Sequence, residues 1–277
     1  MMHRVLRIGS GSDTPAAARM TQHRFAHVAA HERQHRWARV AARALLWAPL
    51  LLVAAVCDAQ QPKASGPAQH NTLTAEERAA GWRLLFDGQT TNGWRGYRMP
   101  EIPAGWQAVD GALTRVAPAR DIITTETFRD FELTLEWKLE PGGNSGIFYR
   151  AVEGPEWVYY FAPEMQVLDD DVHRDGRNPL TSSGANYAIN PAPRGVVKPV
   201  GEWNSVRLLV NGNHVEHWLN GQKVVEYEIN SDDWKQRVAA SKFRQWPEYG
   251  QAREGHIGLQ EHGSWVAYRN IKIRPLQ

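Results

Sequence analysis

The sequence predicts an all-β chain folded as two antiparallel sheets packed face to face, on three observations. The segment FELTLEWKL alternates with a period of two: Phe131, Leu133, Leu135, Trp137 and Leu139 against Glu132, Thr134, Glu136 and Lys138, as a half-buried antiparallel strand does. The runs WNSVRLLV, HVEHWL and QKVVEYE are separated by NGN and NG, and Asn-Gly at 211–212 and 220–221 supplies the positive-φ residues of tight hairpin turns. After Arg83 no long helical periodicity occurs. Many short strands with Gly and Asn turns and no interleaved helices make a two-layer sandwich, and one such core takes up roughly 200 residues.

In chain order, residues 1–59 read as a targeting segment. A basic stretch holding Arg33, Arg36, Arg39 and Arg43 precedes an apolar run from Ala44 to Val56. That run is too short for a membrane-spanning helix, which needs about 20 residues, and suits the apolar core of a signal peptide. The long basic stretch leaves Met20 as an alternative start. Small residues ending at Ala59 fit cleavage there, while Cys57, the only cysteine, stands where a lipidated cysteine would, although Val56 is bulky for such a site. Both routes imply export, to the periplasm or to a lipid anchor in the bacterial envelope, and both leave the mature chain without a thiol for disulfides or catalysis. Residues 60–78 read as a polar linker with one helix start, Thr74 and Glu77 forming a capping box. Residues 79–277 read as the sandwich domain. Within it Ser231 to Phe243 is the one short helix, capped by Ser231 or Asp232, and GHIGLQEHG and WVAYRNIKIRPL are closing strands.

The formal net charge is only +2, which points away from nucleic acid. Membrane contact is expected only through a lipid on Cys57. Twelve tryptophans imply a large aromatic core or flat platforms for sugar rings. There is no P-loop, dinucleotide-binding glycine motif, G-x-S-x-G elbow or H-E-x-x-H.

Four stretches carry polar residues that could do chemistry. In EMQVLDDDVH, Met165 and Val167 take core parity, so Glu164 and Gln166 point outward and Asp169 follows at the strand end. This E-x-Q-x-x-D pattern resembles the E-x-D-x-x-E strand of retaining glucanases, but Gln166 replaces the central acid and Asp169 is shorter than Glu. A polar exposed strand is the other reading. In GGNSGIFYR, Phe148 and Arg150 are expected on one face and Ile147 and Tyr149 on the other, an Arg beside a ring suiting a sugar; a core Phe148 with a surface ion pair at Arg150 fits equally. In GHIGLQEHG, Gly258 should leave open space bordered by Gln260 and His262, with His262 a proton carrier near neutral pH; a structural histidine at the strand end is the other reading. Finally Asp169, Asp170, Asp171, His173 and Asp175 offer ligands for a divalent cation, with Asp169 and Asp171 the leading candidates, although they half fit a calcium loop; a solvated acidic loop is the alternative. No other cofactor is expected.

Taken together, LFDGQTTNGW, GNSGIFYR, EMQVLDDDVH, KPVGEWNSVRLLVNGNHVEHWLNGQKVVEYE and GHIGLQEHGSWVAYRNIKI resemble the bacterial 3-keto-disaccharide (3-keto-glycoside) hydrolase domain family, over Ala79 to Pro275. The resemblance implies a concanavalin A-like (laminin G-like) jelly roll, a carbohydrate substrate, and cleavage of glycosides already oxidised at carbon 3. A ketone there acidifies the carbon-2 hydrogen, and a base that removes it yields an enolate able to expel the group at carbon 1, after which water adds. On this reading Glu164 or Asp169 is the base, His262 the acid for the leaving oxygen, Arg150 the carbonyl partner, and Gln166 and Gln260 orient the sugar, with Phe148, Tyr187 and His173 as further substrate contacts. The segment SGANYAI departs from the family pattern but keeps Tyr187. A non-catalytic carbohydrate-binding module and a conventional retaining glucanase are the competing expectations.

Overall fold

A computed structural model describes residues 69–276. The expected signal segment, Cys57 and the linker up to residue 68 lie outside the described residues. Among the described residues no helix is long and apolar enough to cross a membrane.

The chain forms α1 (Ala75–Ala79), β1 (Arg83–Leu84), β2 (Trp94–Gly96), β3 (Trp106–Val109), β4 (Ala112–Arg115), β5 (Ile122–Thr124), β6 (Phe131–Leu139), β7 (Asn144–Ala151), β8 (Glu164–Leu168), β9 (Asn204–Asn211), β10 (His214–Leu219), β11 (Gln222–Glu228), α2 (Asp232–Ala240), β12 (His256–Leu259) and β13 (Val266–Pro275). Short 3-10 turns occur at Val158–Tyr160, Arg174–Arg177 and Lys242–Gln245. The larger sheet runs β11-β10-β9-β6-β13-β4-β3, with β1 also paired to β13; the smaller runs β2-β5-β12-β7-β8. All pairings are antiparallel.

The sequence pattern sets these layers. Phe131, Leu133, Leu135, Trp137 and Leu139 of β6 enter one apolar cluster with Ile147 and Tyr149 of β7, Met165 and Val167 of β8, and Ile257 and Leu259 of β12, so the two sheets share one core. The turn between β10 and β11 places Asn220 at φ +50° and Gly221 at φ +80°, the two positive values a type I′ hairpin needs. Alternation on β6 holds with one exception: Glu132 is buried too, because Arg207 and Arg274 close on its two oxygens. The capping box at α1 forms, Thr74 Oγ1 accepting from the Glu77 amide at 3.1 Å and the Thr74 amide donating to Glu77 at 2.8 Å. Just before it, Asn71 is buried and exchanges two hydrogen bonds with Asn270 on β13, so this part of the segment read as linker is docked on the sandwich.

All eight residues of β7 are buried. It lies between β12 and β8, and its outer face is covered over Phe148 by Val158 and Ala162. That cover, and the place where it stops, positions the site.

Candidate active site

The site is built on three adjacent strands of the smaller sheet. Register pairs Gly146 of β7 with Gln166 of β8, and on the other side the Gln260 amide donates to the Gly146 carbonyl at 2.9 Å. Gln166, Gly146 and Gln260 therefore form a row across the sheet, with Asn144 and His262 toward one end and Glu164 opposite Phe148 at the other. Gly146 lets the row become a floor. A Cβ there would come within 2.1 Å of Glu164 Oε1, closer than any real contact, so the Glu164 carboxyl rests where any side chain at 146 would displace it. Around the floor Asn144, Tyr159, Glu164, Gln166, Tyr187, Lys242, Gln260 and His262 line a pocket of about 190 Å³.

Electrostatically the pocket centres on Glu164. It is 4% exposed, and no donor among the described residues hydrogen-bonds its carboxyl. Burial pushes its pKa up to about 8, Lys242 pulling it back and Asp121 pushing it further. Burial pulls the Lys242 ammonium down, against the opposing charges of Glu164 and Asp175. Tyr187 is raised to about 12, chiefly by burial. Three amide atoms on the walls are buried and have no hydrogen-bond partner among the described residues: Asn144 Oδ1, Gln166 Nε2 and Gln260 Oε1. The walls thus carry unused donor and acceptor capacity beside one proton-accepting carboxyl, a lining suited to an uncharged polyhydroxylated ligand.

The structure brings together Glu164, Gln166, Gln260, His262 and Tyr187. It does not bring the other candidates there. Arg150 was expected on the face of Phe148, but β7 carries a bulge opposite Ile257: His256 pairs with Ala151 while Gly258 pairs with Phe148. Arg150 takes φ +51° in that bulge, and parity is lost. Its guanidinium is buried and donates to the carbonyls of Arg129 and Gly212 and to Asp130, at 3.2, 2.6 and 3.2 Å for Nη2, so it fastens the strand end. Phe148 is fully buried under Val158 and Ala162. It also fills the space expected above Gly258, where a Cβ would lie 3.1 Å from Phe148 Cβ.

Asp169 is buried away from the pocket lining, its oxygens accepting from the amides of Gly142 (2.7 Å), Asp171 (3.1 Å) and Val172 (3.4 Å). His173 caps the 174–177 turn, Nδ1 accepting from the Asp175 amide at 3.2 Å. Asp171 is exposed. Among the described residues Asp169 and Asp171 join no metal-sized group. The one such group is His214, Glu216 and Glu226 on the β10–β11 hairpin, and Lys223 stands inside it, 3.3 Å from Glu216.

Sequence reasoning missed Asn144, Tyr159 and Lys242. Asn144 has the parity of Gly146 and Phe148 and could have been counted back along the strand. Lys242 lay inside a segment read as one helix. The signal was Ser241, which ends α2 and starts the next turn by accepting the Phe243 amide at 3.0 Å. Tyr159 had no signal beyond an aromatic-rich loop.

A family model described as a 3-keto-alpha-glucoside-1,2-lyase-like domain matches residues 81–274. A 3-keto-disaccharide hydrolase of Bacteroides thetaiotaomicron is 36% identical over 241 residues, covering 76% of this chain and 83% of that protein. Two solved structures of candidate glycosyl hydrolases from Parabacteroides distasonis are also similar. One is 36% identical with a TM-score of 0.71, covering 76% of this chain and all of that one. The other is 31% identical with a TM-score of 0.58, covering 70% and 99%.

Proposed function

The chain belongs to the family of 3-keto-alpha-glucoside-1,2-lyase-like domains, and from that membership we propose that it is a glycoside-cleaving enzyme acting on 3-keto-disaccharides or 3-keto-glycosides. The observation that carries the mechanism is Glu164: a buried carboxyl with no donor among the described residues, a pKa pushed up to about 8, beside amides that can hold a sugar. A carboxylate of raised pKa is a stronger base, and a general base works best with its pKa near the working pH.

Glu164 takes the carbon-2 hydrogen, made acidic by the ketone at carbon 3. The C–H electron pair moves into a carbon-2–carbon-3 double bond and the charge goes to the carbon-3 oxygen. On collapse the ketone reforms, a carbon-1–carbon-2 double bond forms, and the carbon-1 oxygen leaves with a proton from His262 at the pocket rim. Water adds to carbon 1 and a proton returns to carbon 2. Gln166, Gln260 and Asn144 pair with the ring hydroxyls, which fixes the carbon-2 hydrogen toward Glu164.

A retaining glucanase needs two carboxyl groups about 5–5.5 Å apart flanking the bond. Among the described residues Glu164 is the one carboxylate lining this pocket, which disfavours that reading. A pure binding module has no need to bury an unpaired carboxyl in its sugar site, since such burial costs free energy without adding contacts. The test is incubation of the purified protein with a disaccharide and its 3-keto form. Release of sugar from the 3-keto form alone is expected. Cleavage of the unoxidised form at equal rate supports a glucanase, and binding of either form without turnover supports a module.

A further inference from the structure

The enolate of such a reaction needs a partner for the charge on the carbon-3 oxygen, and Arg150, bound at the far end of β7, is not available for it. Among the described residues, Lys242 is the lysine or arginine that lines the pocket. Lys242 opens the turn after α2, where Phe243 anchors the backbone: Phe243 is buried and stacks on Tyr249 at 4.0 Å, which stacks on Trp234. From that base the ammonium stands over the rings of Tyr187 (4.4 Å), Phe243 (5.1 Å) and Tyr159 (5.2 Å). Among the described residues no carboxylate lies within ion-pair distance of it, and no acceptor hydrogen-bonds it. This differs from other cations of the molecule, such as Arg115, paired to Glu261 at 2.5 Å, and Lys272, paired to Glu77 at 2.8 Å. A cation held by ring faces, with no acceptor bonded to it, keeps donor capacity available for a ligand.

We propose that Lys242 is the catalytic cation that receives the oxyanion formed at carbon 3 when Glu164 removes the carbon-2 hydrogen. The role rests on the 3-keto reading above. The C–H bond breaks, its proton passes to Glu164, its electron pair ends on the carbon-3 oxygen, and the Lys242 ammonium pairs with that oxygen until the ketone reforms and the carbon-1 oxygen leaves. No covalent bond to the lysine and no added co-reactant is needed. The charged and titratable groups facing the pair are Asp121 toward Glu164, Asp175 toward Lys242, and Tyr159, Tyr187 and His262 on the walls.

The experiment compares wild type, Lys242→Met, Lys242→Ala and Lys242→Arg on a 3-keto disaccharide, with Lys235→Met on exposed α2 as control and thermal melts to verify folding. Lys242→Met should lower kcat by about 10²–10³ with a smaller change in KM. Lys242→Arg should keep part of the rate, and added butylammonium should restore part of the rate of Lys242→Ala. The rising limb of the pH–kcat/KM profile should move to higher pH in Lys242→Met, because Glu164 loses its neighbouring cation. A folded Lys242→Met with kcat within about threefold of wild type, or a loss confined to KM with no amine rescue and an unmoved pH limb, overturns the role while leaving the 3-keto reading intact. Wild type that leaves the 3-keto disaccharide uncleaved overturns both.

Discussion

Two carboxylates five residues apart, Glu164 on β8 and Asp169 just past its end, are buried almost equally, at 4% and 5% exposure, yet stand in opposite chemical situations. Asp169 faces a loop that closes on it and accepts from three backbone amides. Glu164 faces a pocket, rests on a glycine and accepts from none of the described residues. Hydrogen bonds from N–H groups favour the ionised form and tie the group in place, whereas bare burial favours the neutral form and leaves the oxygen free to take a proton. Depth alone therefore does not single out a catalytic base; whether donors occupy its oxygens does.

The largest expected effect tests the Glu164 side. Glu164→Gln should lose about 10²–10⁴ of turnover while folding normally. It should also change how stability depends on pH. The Glu164 pKa is raised from 4.5 to about 8 in the fold. The folded state thus keeps that proton where the unfolded chain has lost it, so wild type loses stability as pH rises from the unfolded value through the folded one. One pKa unit is worth about 1.4 kcal/mol. Denaturant titrations at pH 5 and pH 9 should show Glu164→Gln gaining on wild type by more than about 1 kcal/mol; equal differences at both pH values would remove the account of this carboxyl.

Gly146→Ala probes the same seat from beneath. The added methyl collides with Glu164 Oε1 and must push the carboxyl off the floor, so kcat should fall by more than tenfold with a smaller loss in melting temperature. Unchanged kcat would show that the seat is not required.

Arg150→Met should act on stability alone. It removes the guanidinium donor from the carbonyls of Arg129 and Gly212 and leaves Asp130 with the Gly212 amide, costing about 1–3 kcal/mol by the cost of leaving buried acceptors unpaired, while kcat of the remaining folded protein stays near wild type. A kcat loss like that of Glu164→Gln would return Arg150 to the chemistry.

The smallest effect is expected at Asp169→Asn. Weakening three charge-assisted bonds should cost about 1–2 kcal/mol and alter kcat less than threefold. A turnover loss comparable to that of Glu164→Gln would erase the contrast between the two positions.

The same contrast shows what the sequence could carry. Alternation on β6 and β8 and Asn-Gly turns are local, so the sandwich and the outward parity of Glu164 and Gln166 were readable from neighbouring residues. The parity of Gln260 and His262 was readable for the same reason, and these residues meet in the pocket with Tyr187. Arg150 failed because a bulge resets parity, and a bulge depends on how β12 pairs with β7, not on the residues of β7 alone. Asp169 failed because its donors come from Gly142, 27 residues away, as well as from its own loop. Lys242 was hidden because its place depends on where α2 stops and on a stack built from Phe243, Tyr249 and Trp234.

Whether cleavage begins with removal of the carbon-2 hydrogen by Glu164 is decided by turnover of a 3-keto disaccharide deuterated at carbon 2 of the oxidised ring. Label in the released sugar is read at early conversion and corrected for exchange in a Glu164→Gln control. A slower reaction than with the unlabelled substrate is expected, with solvent hydrogen at carbon 2 of the product. Complete retention of the label with no isotope effect would contradict removal of that hydrogen by Glu164.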